Sequence, residues 1–128
     1  MKNQRTLTMD EIQIPISIGE LLDKISILSI KSQYTTNQYV SKELQDLIEI
    51  AKKHQVYDDF YLAKLLTINH KLWKIEDDLR VLEKSQDFDE TFIELARSVY
   101  KTNDLRAKIK KEINEKYKSS YQEIKVHK

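Results

Sequence analysis

A single glycine, Gly19, and a single proline, Pro15, punctuate the 128 residues of this chain. Gly and Pro are the usual residues of tight turns and element ends, so a chain this poor in both has few turns and is built from a few long elements. Apolar residues recur at helical spacing through every long segment, which makes those elements helices and the fold class all-α. A chain of this length buries a real core without cross-links. The sequence therefore predicts one domain over residues 1–128, with an extended N-terminal segment over 1–16 and a C-terminal tail over 118–128.

Cap residues mark where the helices start. Ser17 followed by Glu20 is a capping box, in which the serine hydroxyl accepts from a backbone N–H of the first turn and Glu20 reaches back to the N–H of Ser17. A first helix is predicted from there to about Tyr34, with Pro15 holding the residue before it extended. A second, from about Gln38 to His54, carries Val40, Leu44, Leu47, Ile48 and Ala51 at helical spacing. Asp58 or Asp59 caps a long third helix, from about Phe60 to Lys84. Asp89 caps a fourth that runs to about Tyr117, with Phe88 stapled back onto its first turn. Four helices with short joins predict an antiparallel bundle.

Several function classes are disfavoured at once. The absence of Cys removes disulfides, a thiolate nucleophile and Cys-ligated zinc, and makes the cytoplasm the default location. Asp10, Glu11 and Gln13 interrupt any apolar run near the N-terminus, so neither a signal-peptide core nor a membrane span is expected. The net charge of +1 is unevenly placed: from Lys101 onward nine Lys/Arg face four Asp/Glu. No aromatic or Arg cluster accompanies those lysines, so they read as the solvated end of a helix whose dipole favours cations, and nucleic acid is disfavoured. There is no Gly-rich phosphate loop and no serine in a nucleophile-elbow context. His70 has no His, Asp or Glu one turn away, which argues against a histidine-ligated metal.

The polar residues on apolar faces are more informative. At about 100° per residue, Leu65, Ile68, Leu72, Ile75, Leu79 and Leu82 form the seam of the third helix, and Leu62, Leu66 and Trp73 a second stripe. Asn69, Glu76 and Arg80 fall between the two. Within the triplet Glu76-Asp77-Asp78 the wheel sends Asp78 to solvent, leaves Asp77 at the flank, and embeds Glu76 in the apolar sector. A buried carboxylate needs a cation, a metal or a set of hydrogen bonds, and Arg80 is the nearest partner in sequence.

The fourth helix places Asn103, Arg106 and Lys110 in its own apolar sector among Leu95, Val99 and Ile113. The first helix has Leu21, Leu22, Ile25 and Leu28 on one side, and Ile27 and Ile30 on the other with Glu20, Asp23, Lys24 and Lys31. A helix apolar on both sides is buried by two neighbours, with a second subunit a candidate for one of them, so a homodimer is expected. The inward polar residues admit two readings. One is a salt-bridge network that sets the register of the bundle. The other is a pocket that takes a metal-phosphate or a small anionic ligand.

The stretches PISIGELLDKISILSIK (Pro15–Lys31), LWKIEDDLR (Leu72–Arg80) and FIELARSVYKTNDLRAKIKKEIN (Phe92–Asn114) together resemble a bacterial and phage family, the domain of unknown function 6165. The resemblance covers most of the chain. Its first signature is matched by Gly19, Glu20, Leu21, Asp23, Lys24 and Ile25, and its second by Leu72, Trp73, Glu76, Asp77 and Arg80. Asn103, Asp104, Arg106, Lys110 and Asn114 match its third. The resemblance implies that these polar residues are a family site rather than a private salt bridge. A more distant group, similar in its Leu-Trp, Glu-Asp and Asn-Asp motifs, tends to lie near surface-polysaccharide biosynthesis genes, which implies a link to that metabolism. Residues 34–61 match no motif, which marks the second helix as scaffold.

Two functional classes follow. One is an interaction or ligand-binding module, dimeric and able to dock a protein partner, with Glu20, Asp23, Lys24, Trp73, Glu76, Asp77, Arg80, Asn103, Asp104, Arg106 and Lys110 as its site. The other is a metal-dependent phosphate-ester or nucleotide-processing enzyme. There Glu20 and Asp23 on one helix and Glu76 and Asp77 on another would hold a divalent cation against phosphate oxygens.

Overall fold

The computed structural model describes residues 11–126, so residues 1–10 of the expected N-terminal segment and the last two residues of the tail lie outside the described residues. Four α-helices follow one another: α1 (Ile18–Lys31), α2 (Gln38–Lys53), α3 (Asp59–Lys84) and α4 (Glu90–Lys116). No strand occurs among the described residues.

Each helix starts on a side-chain acceptor that satisfies an orphan N–H of its first turn. Ser17 Oγ accepts from Glu20 N at 3.1 Å, Asn37 Oδ1 from Tyr39 N at 2.8 Å, Asp58 Oδ1 from Tyr61 N at 3.1 Å, and Asp89 Oδ1 from Thr91 N at 3.0 Å. Phe88 packs edge-on against Phe92 with ring centroids 5.1 Å apart, as the expected staple. Only half of the first capping box forms: the Glu20 carboxylate turns instead to Lys110 Nζ at 3.1 Å. α1 also ends about a turn early, at Lys31, and Tyr34 leaves the helix to stack on Trp73 with centroids 5.1 Å apart.

The other three helices stop on a residue in the left-handed region, Gln55, Gln86 and Lys118 at φ 61°, 58° and 53°. Each is followed by the long closing bond of that turn, Val56 N to Ala51 O, Asp87 N to Leu82 O and Ser119 N to Asn114 O, all 2.9 Å. A chain with one glycine makes these turns without it.

α1 is the hub, packed against α2, α3 and α4. Its buried Leu21, Leu22 and Ile25 meet a core supplied by Ala51, Val56, Leu62, Leu65 and Ile113. On the second apolar side of α1 Ile30 is fully buried and Ile27 half-buried, beside Leu72 of α3 and Asn103 of α4. Pairs between residues 19 and 114, and 23 and 106, run in opposite directions along the sequence, which sets α1 antiparallel to α4. At about 1.5 Å per residue α1 is about 21 Å long while α3 and α4 approach about 40 Å. The α3–α4 hairpin therefore runs on past the C-terminal end of α1.

Candidate functional site

The centre of the polar cluster is Asp23, not Glu76. Asp23 sits on the α1 face between α3 and α4 and is 0% exposed. Its carboxylate accepts from Arg106 Nε at 3.0 Å and from Arg106 Nη2, a two-bond pairing of fork and carboxylate. Asn69 Nδ2 adds a bond to Asp23 Oδ1 at 2.9 Å and another to Ser26 Oγ at 2.7 Å. Three helices thereby share one buried charge. The guanidinium is completed by Asn103 Oδ1, which accepts from Nη1 at 3.3 Å. The Asp23 hydrogen bonds hold Arg106 above its ordinary pKa, so its charge is fixed.

One turn further along α4, the Lys110 ammonium is buried beneath three carboxylates: Glu123 at 2.8 Å, Glu20 at 3.1 Å and Asp23 at 3.9 Å. Burial would lower its pKa, but the bonds from Glu123 and Glu20 outweigh that and raise it. Glu123 comes from the tail, and Lys110 in turn holds its carboxyl below the usual range. Gly19 lets these two helices approach: a Cβ there would stand 2.6 Å from the backbone oxygen of Lys110. Its N–H donates to Asn114 Oδ1 at 2.7 Å, and Ile18 N donates to Ser119 Oγ at 3.1 Å.

Beside the Asp23–Arg106 pair a cleft of about 250 Å³ opens, lined by Ile27 and Ile30 of α1, Asn69, Leu72, Trp73 and Glu76 of α3, and Asn103 and Arg106 of α4. Asn69 is only 5% exposed. Both of its N–H groups are spent on acceptors, and its Oδ1 has no partner among the described residues. Asn103 likewise uses its oxygen on Arg106 while its amide N–H groups have no described partner. The cleft thus offers an acceptor, donors, the Glu76 carboxylate and the Trp73 ring over an aliphatic floor.

Of the residues singled out in the sequence, Glu20, Asp23, Asn103, Arg106 and Lys110 converge, and Trp73 and Glu76 border the cleft. The inward placement of Glu76 is corrected: its side chain is 51% exposed and faces Arg80 at 3.9 Å on the surface. The wheel angle was right, since Glu76 lines the cleft with Ile27 and Ile30, but the cleft is open and leaves the carboxylate in solvent. Asp77 and Arg80 pair at 3.3 Å in solvent, and Lys24 is exposed. Asp104 is exposed too, reaching Lys125 of the tail at 3.9 Å.

The acidic pairs of α1 and α3 do not assemble. Among the described residues no three His, Asp or Glu side chains form a set that could hold a metal ion. Asp23 is committed to Arg106 and Asn69, and Asp77 to Arg80, so these residues do not fit a divalent cation. Asn114, part of the third signature, receives the Gly19 N–H, and residues missed in the sequence are Ser26, Ser119 and Glu123. Only Gly19, a helix-breaking residue inside a helix, signalled the α1–α4 contact they surround.

A second, separate knot joins α4 to the start of α3. Asp58 accepts from Lys116 Nζ at 2.7 Å and from the Tyr117 hydroxyl while also capping α3. Burial would raise its carboxyl, but these bonds bring it down from 3.8 to about 2.

The chain is therefore an all-α bundle whose first, third and fourth helices close around one carboxylate–guanidinium pair beside an open cleft. It belongs to the family of unknown function DUF6165, whose match spans residues 12–127. No curated protein and no solved structure matches the chain. Among the described residues no helix is long and apolar enough to cross a membrane.

Proposed function

We propose that this chain is a small cytoplasmic binding module whose α1–α3–α4 cleft takes an uncharged, hydroxyl-rich molecule, a sugar unit being the type. The observation that carries this reading is Asn69, a buried amide on the cleft wall whose oxygen has no partner. A buried acceptor without a donor is a standing cost, which a ligand hydroxyl would remove. Asn103 can donate to the same ligand, Glu76 can accept from it, and the Trp73 ring suits the apolar face of a sugar.

Charge argues against the small anion expected from the sequence. Arg106 is already neutralised by Asp23, and the remaining charge on the cleft wall is the carboxylate of Glu76. The hydroxyl-rich class agrees with the link to surface-polysaccharide metabolism implied by the more distant resemblance.

The test is a thermal-shift panel of monosaccharides, sugar nucleotides, nucleotides and Mg²⁺, since a ligand of the folded state alone raises the midpoint by mass action. A neutral sugar is expected to raise it, and Asn103→Ala to abolish that response while leaving the unliganded midpoint near wild type. A response to nucleotides or Mg²⁺ alone would refute the proposal.

A further inference from the structure

Beyond the C-terminal end of α1, the α3–α4 hairpin has no third helix. Leu79, Leu82, Phe92, Leu95 and Val99 continue the apolar seam there, yet each stays only half-buried. Ile93 and Tyr100, on the edge of α4, are 54% and 55% exposed. On α3, Glu76, Leu79 and Glu83 prolong the strip that carries Asn69 and Leu72 beneath α1. On α4, Val99, Ala96 and Phe92 prolong the strip that carries Asn103 and Arg106. The two strips form a groove along the line that α1 would have followed had it been longer.

We infer that this groove, apolar along α4 and acidic along α3, is the docking site for a short basic amphipathic helix of a partner protein. An exposed apolar groove between two helices is the usual seat of an amphipathic helix, read by anchors at i, i+3, i+4 and i+7. The charge of the hairpin selects the kind of helix. From residue 76 to residue 97 eight Asp/Glu stand against three Lys/Arg, a net charge of −5. Lys and Arg on the partner's flank would meet Glu83, while its apolar face covers Leu79, Phe92 and Val99. A second copy of this chain presenting the same face would set like charges against each other, which disfavours self-association there. The Asp23–Asn69 and Ser26–Asn69 bonds set the end of α1 about level with Glu76, beyond which α3 continues for about 12 Å, room for about two turns.

The probe is a fluorescently labelled synthetic peptide of Leu and Lys, about three turns long, with Leu at helical spacing. A peptide of the same composition in scrambled order is its control. Anisotropy should show the ordered peptide binding at least about tenfold more tightly than the scrambled one. Ile93→Asp and Glu83→Lys, both at exposed positions, should each weaken it about tenfold. Val81→Asp, on the opposite side of α3, should leave it unchanged, and circular dichroism checks that every variant is folded. Equal affinity for the scrambled peptide would reduce the groove to bulk charge and overturn the inference. So would an equal loss from Val81→Asp. Sedimentation showing a wild-type dimer that Ile93→Asp dissociates would assign the groove to a second copy and overturn it as well.

Discussion

Asp23→Ala is the substitution on which the account of the site turns. It removes the acceptor of two Arg106 bonds and one Asn69 bond at a fully buried position. Deleting one partner of a buried ion pair typically costs about 3–5 kcal/mol, because the other charge is left without compensation. The Arg106 side chain is 25% exposed, so water recovers part of that loss and the expectation is about 3 kcal/mol. Asp23→Asn should be nearly as damaging, since its new NH₂ must face a donor of Arg106 or Asn69. Glu76→Ala removes only an exposed contact to Arg80 and should change stability by about 0.5 kcal/mol or less. Urea unfolding followed by the fluorescence of Trp73 reads the difference. With a slope of about 1.5–2 kcal/mol/M, the Asp23→Ala midpoint should fall by about 1.5–2 M and that of Glu76→Ala should hardly move. Pairing Asp23→Ala with Arg106→Met in a double-mutant cycle should give a coupling of at least about 1.5 kcal/mol. An Asp23→Ala loss no larger than that of Glu76→Ala would refute the reasoning.

Three further outcomes are expected. Gly19→Ala should destabilise by about 1–3 kcal/mol in denaturant titrations despite the better helix propensity of Ala, because its Cβ would meet a backbone oxygen that cannot move alone. Gln86→Gly should stabilise by about 1 kcal/mol, measured as a raised thermal midpoint, by relieving the left-handed conformation at the end of α3. The folded pKa of Asp58 is lowered from 3.8 to about 2, so its contribution is complete above the unfolded value and is lost as pH falls through the folded one. Wild type should therefore lose about 1–2 kcal/mol across that interval, after allowance for solvent at the exposed Lys116, and Asp58→Asn should show a flatter acid limb in pH-dependent urea titrations.

Much of the fold was legible because its signals are local. Ser17, Asp58 and Asp89 announce their helices, and each boundary depends on atoms within a turn of the cap. The inward set on α4 was legible for the same reason, since a wheel gives the direction of Asn103, Arg106 and Lys110 without knowledge of a neighbour. What a wheel lacks is the neighbour. Glu76 does point to the side shared by α1, α3 and α4, but whether that side is filled or left as an open cleft depends on the side chains of the other two helices. Asp23 was visible as an acid on the polar-apolar border of the first helix. Its central place depends on Asn69 and Arg106, 46 and 83 residues away. The tail contributes through Ser119 and Glu123, held by single long-range bonds that leave no periodic pattern.

The position of Asp23 also bears on the order in which the chain closes during synthesis. α1 leaves the ribosome first, but the guanidinium that neutralises its carboxylate lies 83 residues downstream, about 4–16 s later at about 5–20 residues per second. Until then α4 is not there to cover the carboxylate, which has Asn69 on one side and water on the other. Asp23 is buried by the same helix that neutralises it, so its desolvation and its pairing arrive in one step.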